Sequence, residues 1–272
     1  MPFVARKVAG PNVEIESTRA RVGRCCVHVP QHPPPVQLRA APQPKAVRRM
    51  SATQTPVPNP IIEADAHRYY LFKPAGLPVF PPHADPAGDC LLARLLPYLP
   101  VDPAQPWPEG FEGGIAHRLD NVTSGVVVAA RTPSVLATLR AEFSAATLRK
   151  FYVFQSAARV DFTERLVTAP IAHHASKKDR MVCAWPDRPT PDHTPHRGKW
   201  YPAWTNITRR GPMWQAEIRT GVTHQVRVHA AFAHLPLTGD RLYGGGPGVF
   251  KLHHLRIVGE GWRSPLVEPP GD

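Results

Sequence analysis

No stretch of the 272 residues carries the roughly 18 consecutive apolar side chains that a membrane-spanning helix needs. Cysteine is scarce too. Cys25 and Cys26 are adjacent, Cys90 and Cys183 stand alone, and no C-x-x-C or zinc-type spacing results. A disulfide framework is therefore excluded, and free thiols in a reducing cytoplasm are the expectation. No internal repeat is visible. No continuous apolar segment follows the first basic residues, so the N-terminus does not read as a secretory signal. Histidine is plentiful, but its spacing lacks the convergence a metal needs. His224 and His229, five apart, fall about 140° apart around a helix and on opposite faces of a strand. The pairs His173-His174 and His253-His254 diverge, and His193 and His196 lie in a loop that could hold a metal only adventitiously. Neither a metal nor an organic cofactor is expected.

What is present fits one domain of ordinary size, with 42% hydrophobic residues to build its core. The net charge of +12 is unevenly spread: residues 1–49 carry +7 and the remainder only +5. The folded part is thus a modest nucleic-acid signal by charge alone. Residues 1–60 are basic and Pro-rich, without hydrophobic period, and read as a disordered segment. An organelle transit peptide, an RNA-tethering arm and translation beginning at Met50 are the alternatives there. The folded domain is expected over residues 61–262, with residues 263–272 frayed.

Within that domain, Arg68 to Lys73 has strand composition and stops at the Pro74-Ala75-Gly76 turn. Cys90 to Leu99 reads as a short helix capped by Asp89, with Leu91, Leu92, Leu95 and Leu96 on one face. The unbroken apolar run Gly125 to Ala130 predicts a central strand. Thr132-Pro133 is a helix start, and the helix should continue to about Ala146. Lys150 to Ala157 is a further strand. Residues 170–199 suggest a hairpin with a long loop. Trp200 to Ile207 and Met213 to Arg219 read as an antiparallel pair, Thr223 as the cap of a helix from His224 to about His234, and Leu252 to Val258 as a last strand. Strands joined by hairpins with few helices predict an α+β fold with a mixed, mostly antiparallel sheet.

The chemistry concentrates in His117-Arg118-Leu119-Asp120-Asn121-Val122-Thr123-Ser124-Gly125. One carboxylate beside fixed cations at the mouth of a buried strand suits covalent or acid–base work, whereas an Arg–Asp surface pair is the bland alternative. The pattern HRLDxxTSG resembles the active-site motif of the RluA family of pseudouridine synthases. Further segments resemble that family in order: Lys73 to Val79, Lys150-Phe151-Tyr152, Arg219 to His229 (RTGVTHQVRVH), and Pro236 to Gly245 (PLTGDRLYGG). Leu252-His253 falls at another short family match. The matches span residues 68 to 258.

The resemblance implies isomerisation of uridine to pseudouridine within ribosomal or transfer RNA, without a cofactor. It makes Asp120 the catalytic residue, whether by attack on uracil, attack on the sugar or elimination. Arg227 is then its ionic partner and Tyr152 the aromatic of the base pocket. Arg118 helps to take the uridine out of the stack. His117, Thr123, His224 and Gln225 belong to the substrate site by motif, and His117 is expected to hold the loop by a hydrogen bond. Lys73, Arg219 and Lys150 face phosphate or are solvated surface charge. Val222 stands where the family usually has Arg, which removes a cation from a loop near the RNA, and Phe151 stands where a polar residue is common. Two rivals remain: a non-catalytic RNA-binding or folding factor with the same fold, and a glycoside hydrolase. The latter normally needs a second placed carboxylate, for which Asp240 is the nearest candidate although its setting reads as a structural turn. A monomer acting in the cytoplasm on RNA, with no membrane partner, is the expectation.

Overall fold

The computed structural model describes residues 58–100, 107–108, 111, 113–184 and 195–271. The expectations for residues 1–57, Met50 included, and for His193 lie outside the described residues. The chain runs through β1 (Ile61–Ala64), β2 (Arg68–Lys73), α1 (Leu91–Leu95), β3 (Ser124–Ala130), α2 (Pro133–Ser144), β4 (Arg149–Phe154) and β5 (Glu164–Val167). It continues through β6 (Ile171–His174), β7 (Met181–Cys183), β8 (His196–Tyr201), β9 (Thr205–Arg210), β10 (Met213–Ile218), α3 (Gln225–Phe232), β11 (Leu252–Gly259) and β12 (Trp262–Arg263).

The large sheet has the order β1-β2-β3-β11-β4-β10-β9-β5, with β12 added to β11. Among the described residues, β3 and β11 form its one parallel pair and the other pairings are antiparallel. This is the expected α+β architecture. A separate three-stranded sheet, in the order β7-β6-β8, carries the hairpin expected after residue 170.

β3 is buried along its whole length because both of its faces are covered. Val126, Val128 and Ala130 pack with Leu136 and Leu139 of α2, while Val127 and Ala129 pack with Leu71, Leu91 and Leu95. Its entry at Gly125 has φ +124 and pairs with His254, where any Cβ would run into the His254 backbone. Only glycine permits that close approach of the parallel strands. α2 starts as expected, with the Thr132 hydroxyl accepting from the Val135 N–H at 3.3 Å. It ends at Ser144, short of the expected Ala146, because Ala146 turns left-handed at φ 55.

Several local expectations are corrected. The Cys90 sulfur, rather than Asp89, caps α1 by accepting from the Ala93 N–H, and Asp89 pairs with Arg94 instead. Leu96 belongs to a 3-10 turn with Pro97 and is exposed, so the buried face is Leu91 and Leu95. The strand expected over Trp200 to Ile207 is divided. Trp200 and Tyr201 end β8 in the small sheet, Pro202 offers no N–H to a ladder, and β9 begins at Thr205. The C-terminal segment does not fray at its start: the Ser264 N–H donates to Ile257 O and the Val267 N–H to Leu255 O.

Candidate active site

Asp120 sits in the loop that delivers the chain to β3, and three sets of bonds fix that loop. The Ala116 N–H donates to Val128 O, and the Thr123 N–H closes a turn on Asp120 O. The Val128 N–H donates to His117 Nε2 at 3.1 Å, which leaves the His117 proton on Nδ1. Burial holds that imidazole neutral, well below the ordinary histidine range. His117 therefore acts as the loop anchor that the sequence suggested.

Lys73 fixes the same loop from beneath. Its ammonium is fully buried and donates to the carbonyls of Pro74 (2.9 Å), Leu77 (2.6 Å) and Asn121 (3.1 Å). Burial brings its pKa down to about 8, with the Asp120 charge opposing. Lys73 is thus turned away from any phosphate, and it is not the solvated surface charge of the alternative either: it ties the 74–77 turn to Asn121.

The cavity beside Asp120 encloses about 480 Å³. Arg118, Thr123, Lys150, Tyr152, His224 and Arg227 line it with Asp120. β4 points Lys150 and Tyr152 to the same side, two residues apart. Tyr152 lies flat against His254, with ring centroids 4.4 Å apart and planes 20° apart. Burial first, and the Asp120 charge second, push the Tyr152 phenol well above its ordinary pKa, so it stays protonated. Lys150 donates to Thr220 O at 2.8 Å, and burial brings it down to about 8. Arg118 is exposed at the rim. The Thr123 hydroxyl is buried and finds no partner among the described residues, which leaves it free to bond a ligand. Arg219 is exposed over the Trp204 ring, outside the cavity lining.

Two residues at the head of α3, its N-cap His224 and Arg227, approach the Asp120 carboxylate. Arg227 Nη1 lies 3.8 Å and His224 Nε2 lies 3.9 Å from Asp120 Oδ2. The expected Arg227–Asp120 pairing is only part of the arrangement. The guanidinium fork is bound bidentately to Asp240, at 2.7 and 2.8 Å, and its flanks rest on the Tyr243 and Phe250 rings. Burial works against the Arg227 charge, but the bonds to Asp240 and the fields of Asp240 and Asp120 outweigh it and hold its pKa above the usual arginine value. Asp240 is the residue that sequence reasoning undervalued; its place in the PLTGDRLYGG segment was the available signal. Because it is sealed against Arg227 and 1% exposed, Asp240 cannot serve as the second acid of a glycoside hydrolase.

α3 begins differently from expectation. Thr223 does not cap it. His224 holds the N-cap position in the left-handed region, at φ 56, and no side-chain cap bond forms. Such a backbone in a non-glycine residue costs on the order of 1–3 kcal/mol and is retained only where surroundings impose it. Gln225 imposes it here. Its Oε1 accepts from Thr220 Oγ1 (2.9 Å) and the Val222 N–H (3.1 Å), while Nε2 donates to Trp204 O (2.9 Å) and Thr205 Oγ1 (3.0 Å). With those bonds made, buried Gln225 braces the 220–225 turn and does not offer its amide to a substrate.

Two buried histidines outside the cavity are used by the fold. His229 bonds Thr205 Oγ1 and Ala169 O, and His253 bonds Ser124 Oγ and Val267 O. No group of three or more His, Cys, Asp or Glu among the described residues is placed to hold a metal.

Residues 67–232 match the family described as RNA pseudouridylate synthase. The chain belongs to the RNA pseudouridylate synthase family. The names of its curated relatives support the RluA type. Over 197 residues it is 32% identical to "Ribosomal large subunit pseudouridine synthase D" of Xylella fastidiosa, covering 72% of this chain and 55% of that protein. Over 191 residues it is 32% identical to the protein of the same name from Yersinia pestis, covering 70% and 54%. The chain thus spans about half the length of the curated relatives it matches. The fold is shared with "Human RNA Pseudouridylate Synthase Domain Containing 4" at TM-score 0.60 and 20% identity, covering 77% of this chain and 88% of that one. It is shared too with the human Domain Containing 1 protein at TM-score 0.58 and 16% identity, covering 80% and 86%. Among the described residues, no helix is long and apolar enough to cross a membrane.

Proposed function

We propose that this protein is an RNA pseudouridine synthase that isomerises uridine within ribosomal or transfer RNA, with Asp120 as its catalytic residue. The observation that carries the reading is a half-buried carboxylate on the wall of a 480 Å³ cavity, 3.8 Å from a buried guanidinium and beside a buried tyrosine. The names of the curated relatives favour ribosomal RNA over transfer RNA. That substrate, and the absence of a membrane-crossing helix among the described residues, support a cytoplasmic setting, and a monomer suffices because one chain supplies every residue invoked.

In the reaction the N1–C1′ bond breaks, C5 bonds to C1′, the C5 proton leaves and N1 takes up a proton. The change is isomeric and redox-neutral, so a carboxylate with placed polar groups can perform it. Asp120 acts on the nucleoside within the cavity. Tyr152 supplies an aromatic wall and a phenol that stays protonated at neutral pH, and the free Thr123 hydroxyl bonds the uridine. Arg118, exposed at the rim, occupies the space the base vacates, offsetting part of the few kcal/mol that extraction costs. Exposed Arg219 attracts the RNA backbone, while buried Lys150, bound to Thr220 O, adds positive charge to the cavity wall instead. Lys73, His117 and Gln225 act on the loops that carry these groups.

The test is pseudouridine mapping of ribosomal and transfer RNA from a strain lacking the protein, complemented with wild type or Asp120→Asn. A uridine modified only with wild type supports the reading. Equal modification with both versions removes Asp120 from the chemistry. Normal cellular function with Asp120→Asn and no altered uridine supports the non-catalytic RNA factor instead.

A further inference from the structure

A chain of polar contacts runs from the small sheet to Asp120. The Met181 N–H, at the start of β7, donates to the Tyr243 hydroxyl at 3.0 Å. That oxygen lies 2.8 Å from His224 Nδ1. Since the hydroxyl already accepts from Met181, its own proton is free to go to Nδ1, which places the imidazole proton on Nε2. Nε2 faces Asp120 Oδ2 at 3.9 Å, one short step from hydrogen-bond distance. Arg180, the neighbour of Met181, donates to Leu242 O and so holds the small sheet against the turn that bears Tyr243. His224 stands in the left-handed region at the head of α3, and its ring has Tyr243 at one nitrogen and Asp120 at the other.

We propose that His224 is a positioning residue for Asp120, with its tautomer set by Tyr243 and its seat set by β7. The neutral Nε2–H steadies one carboxylate oxygen and leaves the other to the substrate. The proposal rests on Asp120 being the catalytic residue, and it goes beyond that reading by giving the small sheet a line of contact to the reacting group. The charged and titratable groups around His224 are Asp120, Arg227, Asp240, Asp179 and Tyr243. Burial lowers the His224 pKa, with Asp120 opposing, so the neutral imidazole required here is the form present at neutral pH. Burial pushes the Tyr243 phenol up to about 12, which keeps its proton available to Nδ1.

The experiment uses the full chain and unmodified large-subunit ribosomal RNA transcripts carrying tritium at uridine C5, and reads tritium release to water. Three variants are compared: His224→Gly, which accepts the left-handed backbone; His224→Gln, whose amide nitrogen reaches as far as Nε2 and does not titrate; and Tyr243→Phe. Expected is a loss of about 10–100-fold in kcat for His224→Gly with KM within about threefold, and recovery of most of that loss in His224→Gln. Tyr243→Phe should lower kcat by about 3–10-fold and shift the acid limb of its pH profile, and adding it to His224→Gly should cost nothing further. An active wild type with undiminished kcat in His224→Gly overturns the proposal. So does a loss confined to KM, or independent, multiplying losses from the two sites. If His224→Gly melts out, His224→Gln and Tyr243→Phe decide between the two outcomes through the pH profile. A wild type inactive on every RNA tested overturns the pseudouridine synthase reading itself, which is a different failure.

Discussion

Replacing Asp240 by asparagine leaves a buried guanidinium without its main counter-charge. The side chains of Arg227 and Asp240 are 7% and 0% exposed, and both bonds between them are short, Nε to Oδ2 and Nη2 to Oδ1. Removing one member of such a pair costs about 3–5 kcal/mol, because the remaining ion cannot be rehydrated. At about 2–4 °C per kcal/mol for a domain of this size, the melting temperature should fall by roughly 6–20 °C. Asparagine keeps one acceptor oxygen, so Asp240→Asn should lie at the lower end and Asp240→Ala at the upper. Asp89→Asn is the internal control, since the Arg94–Asp89 pair has its carboxylate 60% exposed and should matter by less than about 1 kcal/mol. Differential scanning calorimetry on the three variants decides the matter. A shift in Asp240→Ala no larger than that of Asp89→Asn would refute the claim that the buried pair anchors α3 beside Asp120.

Two further outcomes follow from the same structure. Burial holds His229 down to about 4 and His254 down to about 3, and lowers His117 as well. Below the unfolded value near 6.5 the unfolded chain therefore binds more protons than the native one, and stability falls with pH by roughly 3–4 kcal/mol per unit around pH 5. Urea unfolding between pH 7 and 4.5 measures that slope, and a flat profile would show that these imidazoles are not buried as neutral groups. Val222→Arg adds a cation to the cavity wall. It should tighten RNA binding at low salt and steepen the log K against log salt slope by about 0.7–0.9, the increment for one added phosphate contact. An unchanged slope in filter binding would place residue 222 away from the RNA backbone.

The β3–α2 unit was legible in sequence because its information is local. The Val126 to Ala130 run is apolar on both alternating faces, and Thr132-Pro133 carries both a cap and a fixed φ. The division at Pro202 was legible in principle, since a proline cannot donate to a ladder, but β-rich composition on either side obscured it. The start of α3 could not be read from propensity. Thr223 is a good cap by type, yet the four bonds of Gln225, two within the 220–225 turn and two to Trp204 and Thr205, decide the backbone there. Lys73 is the same case in reverse. A lysine at a strand end reads as surface, and only the convergence of three carbonyls from two loops explains its burial. The motif located Asp120, Tyr152 and Arg227 together; the division of Arg227 between two carboxylates is a matter of tertiary geometry that no local pattern encodes.

That division bears on reactivity. A carboxylate held bidentately by arginine has its lone pairs occupied and is a poor nucleophile or base. At this site the planar fork is committed to Asp240, where both oxygens are engaged and a further bond comes from the Leu242 N–H at 3.1 Å. Asp120 receives only the flank of the guanidinium at 3.8 Å, and the His224 ring at 3.9 Å. The positive field at Asp120 is thus present without the bonds that would occupy its lone pairs, an arrangement that suits the proposed catalytic role. Asp240 is therefore not merely a turn residue: by holding Arg227 in place and occupied, it leaves the Asp120 lone pairs clear of the guanidinium fork, as the proposed role of Asp120 requires.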